Sequence, residues 1–199
     1  MPKFSFISDL QSEDGRLSFY DILTRLRVKT SYVPAARFDD GLDASKLRGY
    51  MLPLEEKHDR TPDDPELFWC VISTNQSAEW QNLTLVKEAL HVLDGPLHKT
   101  ISKNDLREVL VNRACITPHN DGDGHNVRAD REGLILAVGS MLPKGYRTEL
   151  RRNAGKLNWP NDFVASQVGI PPELVEWLLS DDFETEFEQA LLSCRREDG

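Results

Sequence analysis

The apolar positions change period several times along the chain. Leu17, Tyr20, Ile22, Leu23 and Leu26 recur at helical spacing, and Val28 to Val33 then alternates apolar and polar, predicting a short strand that ends at Pro34. Residues 36–66 are polar and interrupted by Pro53, Pro62 and Pro65. This predicts loops with one short strand over Tyr50–Leu54. Glu66 to Asn75 is an aromatic and β-branched run closed by turn residues, the strongest strand signal in the chain.

Helical periodicity dominates from there on. A helix is expected from Ala78 to Leu93, stopped by Asp94-Gly95-Pro96, and another from Lys103 to Arg113 with Ser102 as its cap. Thr117 to Asn126 reads as a loop. Arg128 to Leu142 reads as an apolar helix closed by Pro143, and the remainder as three or four helices broken at Gly155, Trp159-Pro160 and Gly169-Ile170-Pro171-Pro172. A small sheet with many helices is an α+β class.

Composition narrows the function. Of 199 residues 39% are apolar and 29% charged, an ordinary globular balance. Asp and Glu number 33 against 24 Lys and Arg, a net charge of −9, which disfavours a nucleic-acid or anionic-membrane coat. No apolar run reaches the ~18–20 residues that span a bilayer, and the start, Met1 to Glu13, has no apolar signal core. The three cysteines, Cys70, Cys115 and Cys194, form neither a disulfide framework nor a metal knuckle, as in a reduced cytoplasm.

Chemistry concentrates on Leu83 to Asp94. Apolar side chains cover most of this helix, and the polar wedge is narrow: Thr84, Lys87, Glu88 and His91. A solvent-facing stripe explains such a wedge simply. The order Lys87-Glu88-Ala89-Leu90-His91 also matches H-E-x-x-H except at its first position. In that motif two histidines one turn apart grip a zinc ion, and the glutamate takes a proton from its water. Glu88 is then the candidate catalytic base, His91 a candidate metal ligand, and Lys87 the departure that alters the site.

The stretch from Phe68 to Leu179 resembles the ImmA/IrrE-type metallopeptidase family, which is zincin-like. A strand and turn precede the motif helix, as Phe68–Ile72 and Asn75–Ser77 do here. A second helix opens with an acid and ends near Leu-Met-Pro, as Asp130 to Pro143 does, and a helical tail follows, as Asp162 to Leu179 does. Counted back from Pro143, the resemblance implies Glu132 as the third metal ligand, with Asp130 next in line. It implies a zincin-like core over residues 1–143, of which 1–65 carry no assigned role, and a helical C-terminal extension over 144–199. It also implies zinc as cofactor, a cytoplasmic location, and a bacterial or mobile-element regulator that acts on or binds a transcriptional repressor.

Lys87 leaves three readings open. Its ammonium can stand in for a metal by pairing with Glu132 or Glu88 on a scaffold used only for binding. His119 and His125 can complete a metal site in its place. Glu88, His91 and Lys87 can do metal-free acid–base chemistry. The alternatives in function are therefore a non-catalytic protein-binding pseudo-peptidase and, further off, a helix-turn-helix DNA binder over Phe163 to Leu179. The acids Glu173, Glu176, Asp181 and Asp182 suit that last role badly, and Arg147, Arg151, Arg152 and Lys156 read as a solvated helix face. Asp121-Gly122-Asp123-Gly124-His125-Asn126 matches a calcium loop only in part, because its sixth position lacks the turn-making glycine.

Overall fold

The computed structural model describes residues 1–45, 47–53, 65–94 and 125–197. Its elements are α1 (Lys3–Gln11), α2 (Phe19–Lys29), β1 (Tyr32–Asp39), β2 (Gly49–Pro53), β3 (Glu66–Ser73), α3 (Ala78–Leu90), α4 (His125–Met141), α5 (Lys144–Leu157), α6 (Asn161–Val168), α7 (Val175–Leu179) and α8 (Asp181–Glu197). The architecture is α+β, mostly helical with a small mixed sheet.

The sheet runs β1-β3-β2, with β1 parallel and β2 antiparallel to the central β3. Phe68, Cys70 and Ile72 of β3 are buried on one face, as period-2 alternation requires. Helix α3 packs against β3 and β2. Gly49 allows the close approach: a Cβ there would lie 2.6 Å from Thr84 Cγ2 and 2.9 Å from the Val71 carbonyl oxygen. Helix α4 also packs against α3, and α8 packs against α4 and α1, so the C-terminal segment adds its apolar stripe to the same core.

Several expectations need correction. Val28 lies inside α2, which runs to Lys29, and the strand begins at Tyr32 and passes through Pro34 to Asp39. Parallel pairing with β3 along its whole length sets that register, and an edge strand tolerates proline. Gly155 does not break α5. It is exposed with open space around it, and the helix stops instead where Asn158 turns left-handed at φ 48°. His125 and Asn126 belong to the first turn of α4 and not to a loop.

The first helix was not expected from the pattern; it buries Phe6, Ile7 and Leu10. The expected helix over Lys103–Arg113, its Ser102 cap, Cys115, His119 and the calcium-loop residues 121–124 lie outside the described residues. No helix among the described residues is long and apolar enough to cross a membrane.

Candidate functional site

The polar wedge of α3 does not face solvent. Thr84 and Glu88 are buried, and Lys87 keeps only 13% of its side-chain surface exposed. The cause is packing by both the sheet and α4, with Gly49 of β2 against Thr84 and Gly133 of α4 against Lys87 and His91. The wedge opens onto the start of α4, where Asp130 and Gly133 lie one turn apart on the same face.

Lys87 is the centre of this contact. Its ammonium donates to Asp130 and forms an ion pair with Glu88 at 3.1 Å. Burial by itself would lower the Lys87 pKa, but the two carboxylates outweigh it and hold the ammonium above its ordinary range. The converse holds for Asp130. Burial would raise it, and Lys87, followed by His91 and Arg48, holds it below the usual carboxylate value.

His91 sits where α3 ends. The helix tightens into a 3-10 turn over His91–Leu93, in which side chains three apart eclipse. This places the Asp94 carboxylate on His91 Nδ1, and the other Asp94 oxygen accepts from Lys3 of α1. Asp94 is 95% buried at its side chain, yet His91 and Lys3 overcome the cost of burial and keep its pKa well below normal. The Nε2 edge of the ring lies against Gly133: a Cβ there would be 3.0 Å from Nε2 and 3.3 Å from Lys87 Cγ. A glycine at 133 therefore lets α4 close over the histidine.

Glu88, His91 and Asp130 each offer a donor atom within 4.8 Å of one another, a group that can in principle hold a metal ion. Lys87 argues against zinc in the natural protein. A divalent ion would have to break both of its ion pairs and leave an ammonium beside itself, partly shielded from water. The donor set therefore does not fit a resident zinc while Lys87 is present.

The structure places the expected residues unevenly. Lys87, Glu88 and His91 come together as the motif requires. Glu132, the first choice for a third ligand, is not in the cluster; Asp130, the next in line, is. The two are ~200° apart around the helix, so α4 can turn only one of them toward α3. Among the described residues the side chain of His125 has no described position, and His119 is outside them. Asp94 and Lys3 were not expected as site residues. Asp94 was hidden as a turn residue, and Lys3 is 91 positions away from it in sequence.

The thiol of Cys70 lies behind Glu88. Burial, reinforced by that carboxylate, pushes it far above its ordinary pKa, so it packs as an apolar residue. At the rim Arg48 stacks over Trp80 at 3.6 Å, and Trp80 Nε1 donates to Glu173 at 2.6 Å. Glu173 thus ties the C-terminal segment to α3. After Gly169 the chain runs through a 3-10 turn over Pro172–Leu174 directly into the short helix Val175–Leu179.

Comparison with known proteins returns no match to any family model, curated protein or solved structure.

Proposed function

We propose that this chain is a regulatory protein built on a metallopeptidase-like scaffold, and that it binds a protein partner without cleaving it. The observation that carries the reading is the engagement of Glu88 by Lys87. A hydrolytic base must be free to take a proton from water, and in the metallopeptidase motif that water is polarised by zinc. Here the carboxylate already neutralises a neighbouring ammonium, and the first ligand position carries that ammonium. The order of strand, motif helix and acid-bearing second helix supports the zincin-like assignment, with Asp130 in the place of the third ligand. The same resemblance points to a transcriptional repressor as partner and to the cytoplasm as location.

A direct test mixes the natural protein with the helix-turn-helix regulator encoded nearest its own gene. Binding is measured by calorimetry, and the regulator's intact mass is followed in buffer with added zinc. Stable binding with no loss of mass is the expected outcome. Cleavage by the natural protein that disappears in Glu88→Gln would overturn the reading in favour of an active peptidase.

A further inference from the structure

The cluster around Lys87 has every part of a metal centre except room for the charge. Three carboxylates, Glu88, Asp130 and Asp94, share a small volume with His91. Two ammonium groups, Lys87 and Lys3, enter that volume from different helices. Asp94 holds His91 Nδ1, as outer carboxylates commonly orient a metal-binding histidine. Such an arrangement leaves Nε2 as the free ring nitrogen, turned to the α3–α4 contact beside Gly133.

We propose that Lys87 is an internal cation that has taken over the structural work of a metal ion, tying the end of α3 to the start of α4, and that it alone keeps divalent ions out. The inference deepens the reading above and rests on it for the scaffold. Three observations carry it. The ammonium bridges the two carboxylates that come from different helices, Glu88 and Asp130, as a bound ion would. It lies one helical turn before His91, where the motif puts its first imidazole. Finally, Lys3 and Asp94 keep His91 in a ligand-like orientation although Lys87 leaves no place for the ion.

The prediction follows from charge. Replacing Lys87 with histidine removes the competing cation and adds a nitrogen donor on the same face, giving two imidazoles and a carboxylate, a set suited to tetrahedral zinc with one open position. The natural protein, Lys87→His and Lys87→His/Asp130→Asn are each dialysed against micromolar zinc and then zinc-free buffer. Bound zinc is measured by elemental mass spectrometry, and thermal unfolding is followed with and without EDTA.

The natural protein is expected to keep no stoichiometric zinc and to melt at one temperature in either buffer. Lys87→His is expected to keep about one zinc per chain and to lose roughly 5–10 °C when EDTA removes it. The double variant should lose most of that binding. One zinc per chain in the natural protein, or a folded Lys87→His that binds none, would overturn the proposal. Should Lys87→His fail to fold, cobalt(II) titration of the natural protein decides, because the visible bands of tetrahedral cobalt would contradict a resident ammonium and their absence would support it. Zinc in an inactive natural protein would sink this proposal and leave the binding function standing. Metal-free cleavage of the regulator would do the reverse.

Discussion

Two charge clusters lie against α4, one on its N-terminal half and one at its C-terminal end, and they are neutralised in different ways. At its C-terminal end Arg147 is fully buried. Its Nε and Nη2 donate to Glu184 at 2.8 and 2.9 Å, and Nη1 reaches Gln11 at 3.1 Å and the carbonyl oxygens of Gly139 and Leu142. Phe183 and Phe187 lie against the guanidinium, 5.3 and 4.8 Å from ring centres. The cation thus caps the carbonyl end of a helix, where the helix dipole favours it, and joins α1, α4, α5 and α8.

Against the N-terminal half of α4 the Lys87 ammonium is held by the Glu88 and Asp130 carboxylates. Its charges pair with one another, side chain to side chain, and Asp130 keeps 32% of its side-chain surface exposed. The Arg147 end is anchored to backbone carbonyls of α4, whereas the Lys87 charges are held by one another's side chains, which can rearrange without unravelling a helix terminus.

The sharpest way to break the comparison is to remove each cation. Arg147→Met should fill the space beside the two rings but leave the α4 carbonyls without their donor and Glu184 with only the more distant Arg151 guanidinium, 3.6 Å away. Loss of one partner of a buried pair costs roughly 3–5 kcal/mol, read as a fall in the urea midpoint at constant slope. A loss below about 1 kcal/mol would show that Arg147 is no more than a surface-type pair, and the contrast between the two ends would collapse.

The sequence made these two ends unequally legible. Lys87, Glu88 and His91 were readable because they fall within one turn of one helix, where spacing alone fixes a common face. The choice between Asp130 and Glu132 was not readable, since it depends on how α4 is rotated against α3, a long-range property of the packing. Lys3 gave no signal because its partner is 91 residues away. Arg147 was misread as part of a solvated basic face. Its spacing to Leu150 and Ala154, three and seven residues on, put it on the buried stripe of α5, and that signal was available. The three-stranded sheet was foreseen in two strands of three, with β1 displaced because its edge pairing is a long-range property.

Asp94 offers a smaller and pH-dependent handle on the site. Its folded pKa is depressed, chiefly by His91 and Lys3 acting against burial. The stability it contributes is therefore present above its unfolded value of about 4 and is lost as pH falls below that toward the folded value. Asp94→Asn keeps one acceptor, for His91 Nδ1, but removes the negative charge and turns an NH2 instead of an accepting oxygen toward Lys3. We expect a loss of roughly 1.5–3 kcal/mol at pH 7 and a flatter acid limb in urea unfolding followed from pH 7 to pH 2. An unchanged acid limb would mean that Glu184, also held low although burial opposes it, accounts for the acid sensitivity through the Arg147 cluster instead.

The smallest effect is expected at Gly133, and it tests how closely the site is packed. A Cβ at Gly139, beside the Arg147 cluster, would overlap the Phe187 ring, which the surrounding core holds in place. A Cβ at Gly133 would come no closer than 3.0 Å to the His91 ring and 3.3 Å to Lys87 Cγ, so neighbours need give by only a few tenths of an ångström. Alanine also gains about 1 kcal/mol of helix propensity over glycine. Gly133→Ala should therefore leave stability within roughly 0.5 kcal/mol of the natural protein while shifting the His91 ring resonances in NMR. A loss of more than about 2 kcal/mol would mean that the His91 end of α4 is packed as rigidly as the Arg147 end, and that ligand exchange there would need the helix to move.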